Sequence, residues 1–372
     1  MRKIKVVICL LCLAVHGLTV AQSLKVGTYT FKDGAVYSGE LQRGKPHGRG
    51  TTQFRNGDTY EGEYVKGKRQ GKGTYTFFDG EKYDGDWLQD QQHGYGTYYF
   101  SNNNRYEGLW YRDVQQGQGT MYYYNGDVYR GNWEADHREG LGTYTYNDGS
   151  SYVGEWKDDQ KAGDGVFRWS DGSRYEGQWE RNMRNGNGTF FYADGDSYTG
   201  EWVNDTQQGR GIYKFSNGNC YEGQYSGGKR NGEGVYTFSN GNRYVGHFEN
   251  GEQNGQGTFT WEDGSVYQGN WVNNLRSGTG KYTSAEGDVY EGQWLEGQLN
   301  GEVILRMHDG TKFKGTFKDG QKDGACIEED PSGVRFEGSY RNGQRHGAFV
   351  EKDRNGNIIR QGTYVSGIAN IE

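Results

Sequence analysis

The sequence predicts an all-β fold: an elongated, single-sheet solenoid of β-hairpins with a 23-residue period and about 14–15 copies. Three observations predict it. The element Tyr-x-Gly-x-aromatic recurs every 23 residues from Tyr37 through Tyr60, Tyr83 and Tyr106 to Tyr290, and Phe313 and Phe336 keep the step. Within each copy apolar and polar residues alternate, which is the period of a half-buried strand. The chain also holds 65 Gly and 31 Tyr but 2 Pro among 372 residues. Aromatic rings must therefore do the burying that aliphatic side chains do elsewhere.

The first 21 residues stand apart from the repeat. Arg2, Lys3 and Lys5 precede an apolar run from Val6 to Val15, and Thr19-Val20-Ala21 offers small residues before Gln22. This is the layout of a signal peptide, with an apolar run too short for a comfortable membrane span. Export to a periplasm, cell envelope or extracellular space is expected, with an uncleaved anchor as the alternative. Residues 22–372 are then the array. Without residues 1–21, 39 basic residues stand against 49 acidic ones, a charge of −10. That disfavours nucleic acid and a generic anionic leaflet. Cys220 and Cys326 are the cysteines left, more than four copies and about 40 Å apart at two strands per copy, so no disulfide is expected.

Each copy reads as two short strands. In Tyr83-Asp-Gly85-Asp-Trp87 alternation puts Tyr, Gly and Trp on one face and the acids on the other. In Gly73-Thr-Tyr75-Thr-Phe77, Gly, Tyr and Phe share a face. Phe77 and Tyr83 must point to one side, so the loop between them holds an odd number of residues. Phe78-Asp79-Gly80, a type I turn with a left-handed Gly bulge, satisfies this. The other connection must be even, and Leu88 to His93 are its six residues. The resulting register sets Tyr75 opposite Tyr83, Gly73 opposite Gly85 and Gly71 opposite Trp87, with Tyr83 meeting Tyr98 on its other side. Missing Cβ atoms in the glycine column let Tyr and Trp fold inward over the backbone.

Tyr-x-Gly-x-Trp followed by Gly-x-Gly-x-aromatic, as in Gly71-Lys-Gly73-Thr-Tyr75, at this spacing resembles the MORN (membrane occupation and recognition nexus) repeat over about residues 25–365. The resemblance implies a non-catalytic scaffold that frequently dimerises. Gly301-Glu-Val303, Gly324-Ala-Cys326 and Gly347-Ala-Phe349 lose the second Gly, so residues 301–372 resemble degenerate, capping units. MORN arrays also occur beside lipid-kinase domains, but here the repeat consumes the chain and leaves no room for a kinase core.

No catalytic constellation is legible. His47, His93 and His346 share one loop position in non-adjacent copies, and His47 and His93 are about 20 Å apart, too far to share a proton or metal. Asp194-Gly-Asp196 invites a calcium reading, but a turn explains Asp beside Gly, and calcium β-rolls repeat every nine residues. No cofactor or metal is expected. The informative aromatics are out of phase: Tyr99 and Tyr122 take the place of Thr76, Leu109 replaces a polar residue, Tyr111 follows Trp110, and Tyr95 faces Leu109 in this register. These five form the candidate partner-binding patch. The first expectation is a protein partner or self-association, as a dimer or end to end. Lipid headgroups, which the family name implies, and glycans at the exposed Tyr patch are the alternatives; nucleic acid is not expected.

Overall fold

The protein's architecture comes from a computed structural model that describes residues 23–372, so the expected signal segment 1–21 lies outside the described residues. Those residues carry strands and turns and no helix, hence none long and apolar enough to cross a membrane. They fall into two compact units, one ending at Arg138 and one running from Glu139 to Glu372. Within each unit successive strands pair antiparallel, as Lys68–Thr76 with Lys82–Leu88 and Lys82–Leu88 with Gln91–Tyr99. Regular copies alternate strands of 7 and 9 residues.

The register follows from the alternation. Tyr75 pairs with Tyr83, Gly73 with Gly85, Gly71 with Trp87 and Tyr83 with Tyr98. At the odd connection Gly80 N–H donates to Phe77 O (3.1 Å), Phe77 N–H donates to Glu81 O (2.9 Å), and Gly80 has φ +93°; this is the three-residue turn with a glycine bulge. The even connection differs from expectation. Leu88 to His93 is not a six-residue loop: Gln89 and Asp90, at φ +51° and +75°, form a two-residue type I′ turn, and Leu88 already pairs with Gln91. The two remaining residues are taken up farther along, where Gly94 and Tyr95 bulge between the pairs Asp86–His93 and Gly85–Gly96. Parity survives, because two residues are inserted and none changes face. The correction extends to the histidines: His47 and His93 lie on strands, not loops, and His93 is half-buried.

The core of each regular copy is one tyrosine lying on glycine. Tyr83 is fully buried, and a Cβ on Gly96 would lie 2.4 Å from its Oη. Its hydroxyl donates to Asp86 O (2.9 Å), and Trp87 and Trp110 meet its ring edge-on at 5.2 and 5.3 Å. Trp87 Nε1 donates in turn to Gly73 O at 2.9 Å. Each such ring pair adds about 0.5–1.5 kcal/mol to the area it buries. Not every in-phase aromatic is core. Tyr75, Phe77, Tyr98 and Phe100 form a half-buried row on the same face, with centroids 4.6–5.9 Å apart.

Two side-chain staples recur between neighbouring copies within each unit, the first of them where the I′ turn does not carry glycine at its second position. The second residue of the I′ turn accepts a backbone N–H from the preceding copy, as Asp90 Oδ1 does from Arg69 (2.8 Å) and Asp205 Oδ1 from Arg184 (2.9 Å). The residue after the Asp-Gly or Asn-Gly turn does the same at the other end: Asp58 accepts from Phe78 N–H (2.9 Å) and from the Tyr75 hydroxyl (2.5 Å). Burial opposes the Asp58 charge, but the bonds from Tyr75, Asn56 and Phe78 outweigh it and hold its pKa below the usual carboxylate value. Asp196, one acid of the calcium candidate, is such a staple, accepting from the Tyr213 hydroxyl at 2.7 Å and Ser216 N–H at 2.8 Å.

Candidate functional site

The five sequence-predicted residues all lie in the first unit on its polar face, but they form two clusters. Tyr95 faces Leu109 and His93 faces Tyr111 across one strand pair. Tyr95, Leu109 and Tyr111 are exposed, Tyr95 most of all at 55%. Four residues farther along the strand, about 13 Å away, Lys82, Tyr99, Arg105 and Tyr122 stand in register on successive strands. Lys82 Nζ sits 4.4 Å from the Tyr99 ring centre, and Arg105 Cζ sits 4.3 Å from that of Tyr122. The row Thr97–Glu107–Thr120 runs between the clusters, and Glu107 pairs with Arg105 at 2.9 Å. Tyr99 and Tyr122 are thus engaged with cations, and Arg112 Cζ sits 5.1 Å from the Tyr111 ring centre, while Tyr95 and Leu109 form the more open apolar pair.

Leu109 replaces a group with a job. Glu40, Asp86, Gln178 and Glu201 at its position each accept a backbone N–H from the bulge on the following strand, at 2.7–3.0 Å. The position is therefore a cap for the bulge, not only a wet surface site. Leucine has no acceptor to offer, so here the copy exchanges a backbone bond for exposed apolar area.

A second surface was not foreseen from the sequence. In the second unit a trough of about 1000 Å³ opens on the polar face between Gln256 and Ile327. Its floor crosses six successive strands in register, through Gln268, Lys281, Glu291, Ile304, Lys314 and Ile327. Spaced at about 4.8 Å, these strands span about 24 Å. The aliphatic residues Ile304 and Ile327 stand where earlier copies carry Thr74 and Thr97, and Arg306 bridges to Glu291 at 3.1 Å beside them. That replacement was the signal available in the sequence; the concavity was not, because it depends on how far the glycine column bends. Cys326 meets the floor through its backbone; its side chain takes a glycine's place on the opposite, aromatic face, buried beside Phe313, and burial pushes its thiol up to about 11, so it is a protonated packing group. The trough offers charge of both signs, amides and aliphatic surface along a line. Such a surface can hold an extended chain; it brings no nucleophile and base together.

Among the described residues no three His, Cys, Asp or Glu side chains gather closely enough to hold a metal ion. Cys220 and Cys326 are both free.

The family model for the MORN repeat matches fourteen segments, continuous from 37 to 302 and resuming at 313–335 and 336–348. No curated protein matches the chain. Among solved structures, the chain is similar to the TCP10 domain of Danio rerio CPAP, with 16% identity over 54% of this chain and 99% of that one, TM-score 0.31. It is also similar to the SAS-4 (dCPAP) TCP domain of Drosophila melanogaster, solved with a proline-rich motif of Ana2 (dSTIL). That match has 15% identity over 42% of this chain and 85% of the other, TM-score 0.28. Virginiamycin B lyase from Staphylococcus aureus matches with 10% identity over 83% of this chain and 97% of that one, TM-score 0.13. TM-scores this low do not establish a common overall fold.

Proposed function

We propose, from the premise that this chain belongs to the MORN repeat family, that it works as a non-catalytic scaffold binding a protein partner along the polar face of its sheet. The observation that carries this reading is the trough of about 1000 Å³ at residues 256–327. An extended segment lying along its 24 Å floor, at about 3.3 Å per residue, would place some seven residues there. Ile304 and Ile327, two strands or about 10 Å apart, would take apolar side chains three residues apart, and Lys281, Glu291 and Lys314 would pair with charged ones. The Tyr95–Leu109–Tyr111 patch in the first unit is a second contact surface of the same kind.

Export belongs to the same proposal and rests on residues 1–21. N-terminal sequencing of the protein from its native host tests it: cleavage before Gln22 is expected, and an intact Met1 in a cytosolic fraction overturns it.

Photo-crosslinking in the native host tests the scaffold reading. A photoreactive residue at Ile304 should give one dominant adduct that the same residue at exposed Val203 does not give, and a Lys314→Glu change should reduce it. Equal adducts at both positions, or none at Ile304, would overturn the reading.

A further inference from the structure

On the aromatic face of each unit, one repeat position carries a cation in several copies. Arg69 lies 4.2 Å over Trp87, Arg184 4.3 Å over Trp202, and Arg276 4.4 Å over Trp294. Each donates through Nη2 to a carbonyl of the following I′ turn, at 2.7 Å to Asp90, 3.0 Å to Asp205 and 2.7 Å to Gly297. Arg230 does the same with Phe248 and Gly251, at 5.5 and 2.7 Å. The environment differs among these copies. Arg69 and Arg184 have a carboxylate in that turn, Asp90 at 3.6 Å and Asp205 at 2.9 Å. At Arg230 and Arg276 the same turn position is Gly251 and Gly297, and neither guanidinium has a carboxylate within 4.0 Å.

These two arginines flank the same cleft. It has a volume of about 560 Å³, within the usual range for a small-molecule site, and rings of Phe259, Trp261 and Trp271 wall it. The intervening copy has Gln253 in place of an arginine, and Gln253 and Asn274 bring carboxamides to the lining. No Asp or Glu lines the cleft, in a chain with 49 acidic residues. A guanidinium without a carboxylate counterion, at the edge of an aromatic-walled cleft that no Asp or Glu lines, is a site for an anion; the two lie two copies, about 20 Å, apart, so a single carboxylate meets one of them.

We infer that this cleft binds, at its Arg276 end, a carboxylate carried on an aromatic ring. The carboxylate takes guanidinium N–H groups not used on the turn carbonyls, since each guanidinium has five donors and the turn uses one. The ring lies against Phe259 and Trp261. This site is on the face opposite the trough and stands independently of it.

The test uses the full chain with 2-naphthoate as probe, read by calorimetry and tryptophan fluorescence. Saturable 1:1 binding is expected, weakening as salt rises. The neutral amide 2-naphthamide should bind at least tenfold more weakly. The decisive variant is Gly251→Asp with Gly297→Asp, which restores the counterions present at Asp90 and Asp205. A Cβ at either glycine meets nothing within 4 Å, and Asp tolerates the left-handed turn. This variant should keep the urea midpoint of the parent and lose at least tenfold in affinity. Arg276→Gln should lose a similar factor. Three results overturn the inference: no binding of 2-naphthoate, equal binding of the amide, or unchanged affinity in a folded Gly251→Asp, Gly297→Asp protein. Glucuronate binding where 2-naphthoate does not would overturn the aromatic assignment.

Discussion

Within the second unit, the copies before residue 300 and those after it solve one packing problem in two ways. Before it, the Tyr267 ring lies over Gly269 and Gly280, fully buried, with its hydroxyl donating to Asn270 O at 3.1 Å and Trp271 and Trp294 edge-on at 5.2 and 5.3 Å. At position 303 valine takes the place of the second glycine, and the tyrosine that would lie over it, Tyr290, is only half-buried. The next copies restore a buried ring without its hydroxyl, as Phe313 and Phe336, beside Cys326 and Phe349. Phenylalanine cannot donate to the backbone. An ion network stands in instead: Glu328 takes Lys322, Arg345 (2.9 Å) and the Tyr340 hydroxyl (2.8 Å), and Arg345 lies 3.9 Å over Phe336. Glu351 joins through Arg345 at 3.5 Å and holds Arg360 in turn at 2.7 Å. The size of one residue thus decides whether a copy is held by a ring on backbone or by aliphatic packing and charge.

Moving valine one copy earlier should break this division most severely. In Gly280→Val the new Cβ would fall 2.2 Å from Tyr267 Oη and 2.5 Å from Cζ, so the ring must leave its site. Expelling a fully buried aromatic costs about 3–5 kcal/mol. Urea unfolding should show it, with Tyr267 becoming accessible to iodination. A change under about 1 kcal/mol would mean the glycine is not needed for the ring to lie there.

The converse variant probes the ion network. Burial opposes the Glu328 charge, but Lys322, Arg345 and Tyr340 lower its pKa from the ordinary value. A depressed carboxylate contributes stability that is full above its unfolded pKa and is lost as pH falls through the folded one. Glu328→Gln should therefore cost about 2 kcal/mol at pH 7, less than for a fully buried pair because Lys322 and Arg345 are partly solvated. It should also flatten the loss of stability below pH 4. A parallel acid limb in parent and variant would assign the sensitivity to other carboxylates, such as Asp196.

These two regions were not equally legible in the sequence. The register of the regular copies followed from parity: once Tyr83, Gly85 and Trp87 share a face, Tyr75, Gly73 and Gly71 have one place to go. The I′ turn at Gln89-Asp90 was missed because neither residue is glycine, and a bulge at Gly94-Tyr95 hides the extra length inside a strand. The loss of glycine at Val303, Cys326 and Phe349 was visible, but not its partner, the Glu328 network, whose members come from different strands. For the candidate site, periodicity found Leu109 and the exposed tyrosines but could not show that cations cover Tyr99 and Tyr122 while Tyr95 stays open. The trough and the Arg230–Arg276 cleft depend on curvature and on turn residues two copies apart, which no single motif records.

A smaller effect separates tyrosine from phenylalanine copies at high pH. Burial pushes the Tyr267 phenol up to about 12, with Arg276 pulling slightly the other way. The raised pKa contributes stability that is full below the unfolded value near 10 and is lost as pH rises to about 12. Tyr267→Phe should cost about 1 kcal/mol at pH 7, for the bond to Asn270 O. It should also reduce the steepness of alkaline unfolding by about 1.4 kcal/mol per pH unit. Phe313 and Phe336 already lack the group, so Phe313→Leu should leave that slope unchanged.

The smallest expected effect lies at the turn staples. Asp205 Oδ1 accepts from Arg184 N–H and Nε–H, both at 2.9 Å, so one oxygen serves as amide acceptor and as counterion. The amide role exists without charge elsewhere: Asn182 accepts from Lys161 N–H and Asn274 from Gln253 N–H, each at 2.8 Å. Asp205→Ala removes both roles and should cost about 1 kcal/mol, since the site is partly exposed and screened. Asp205→Asn keeps the amide acceptor and should recover more than half of that in urea unfolding. If Asp205→Asn is as costly as Asp205→Ala, the ion pair is what the staple contributes. The copies with Gly251 and Gly297 would then be weaker joints of the array, as well as places where arginine is left free to meet an anion.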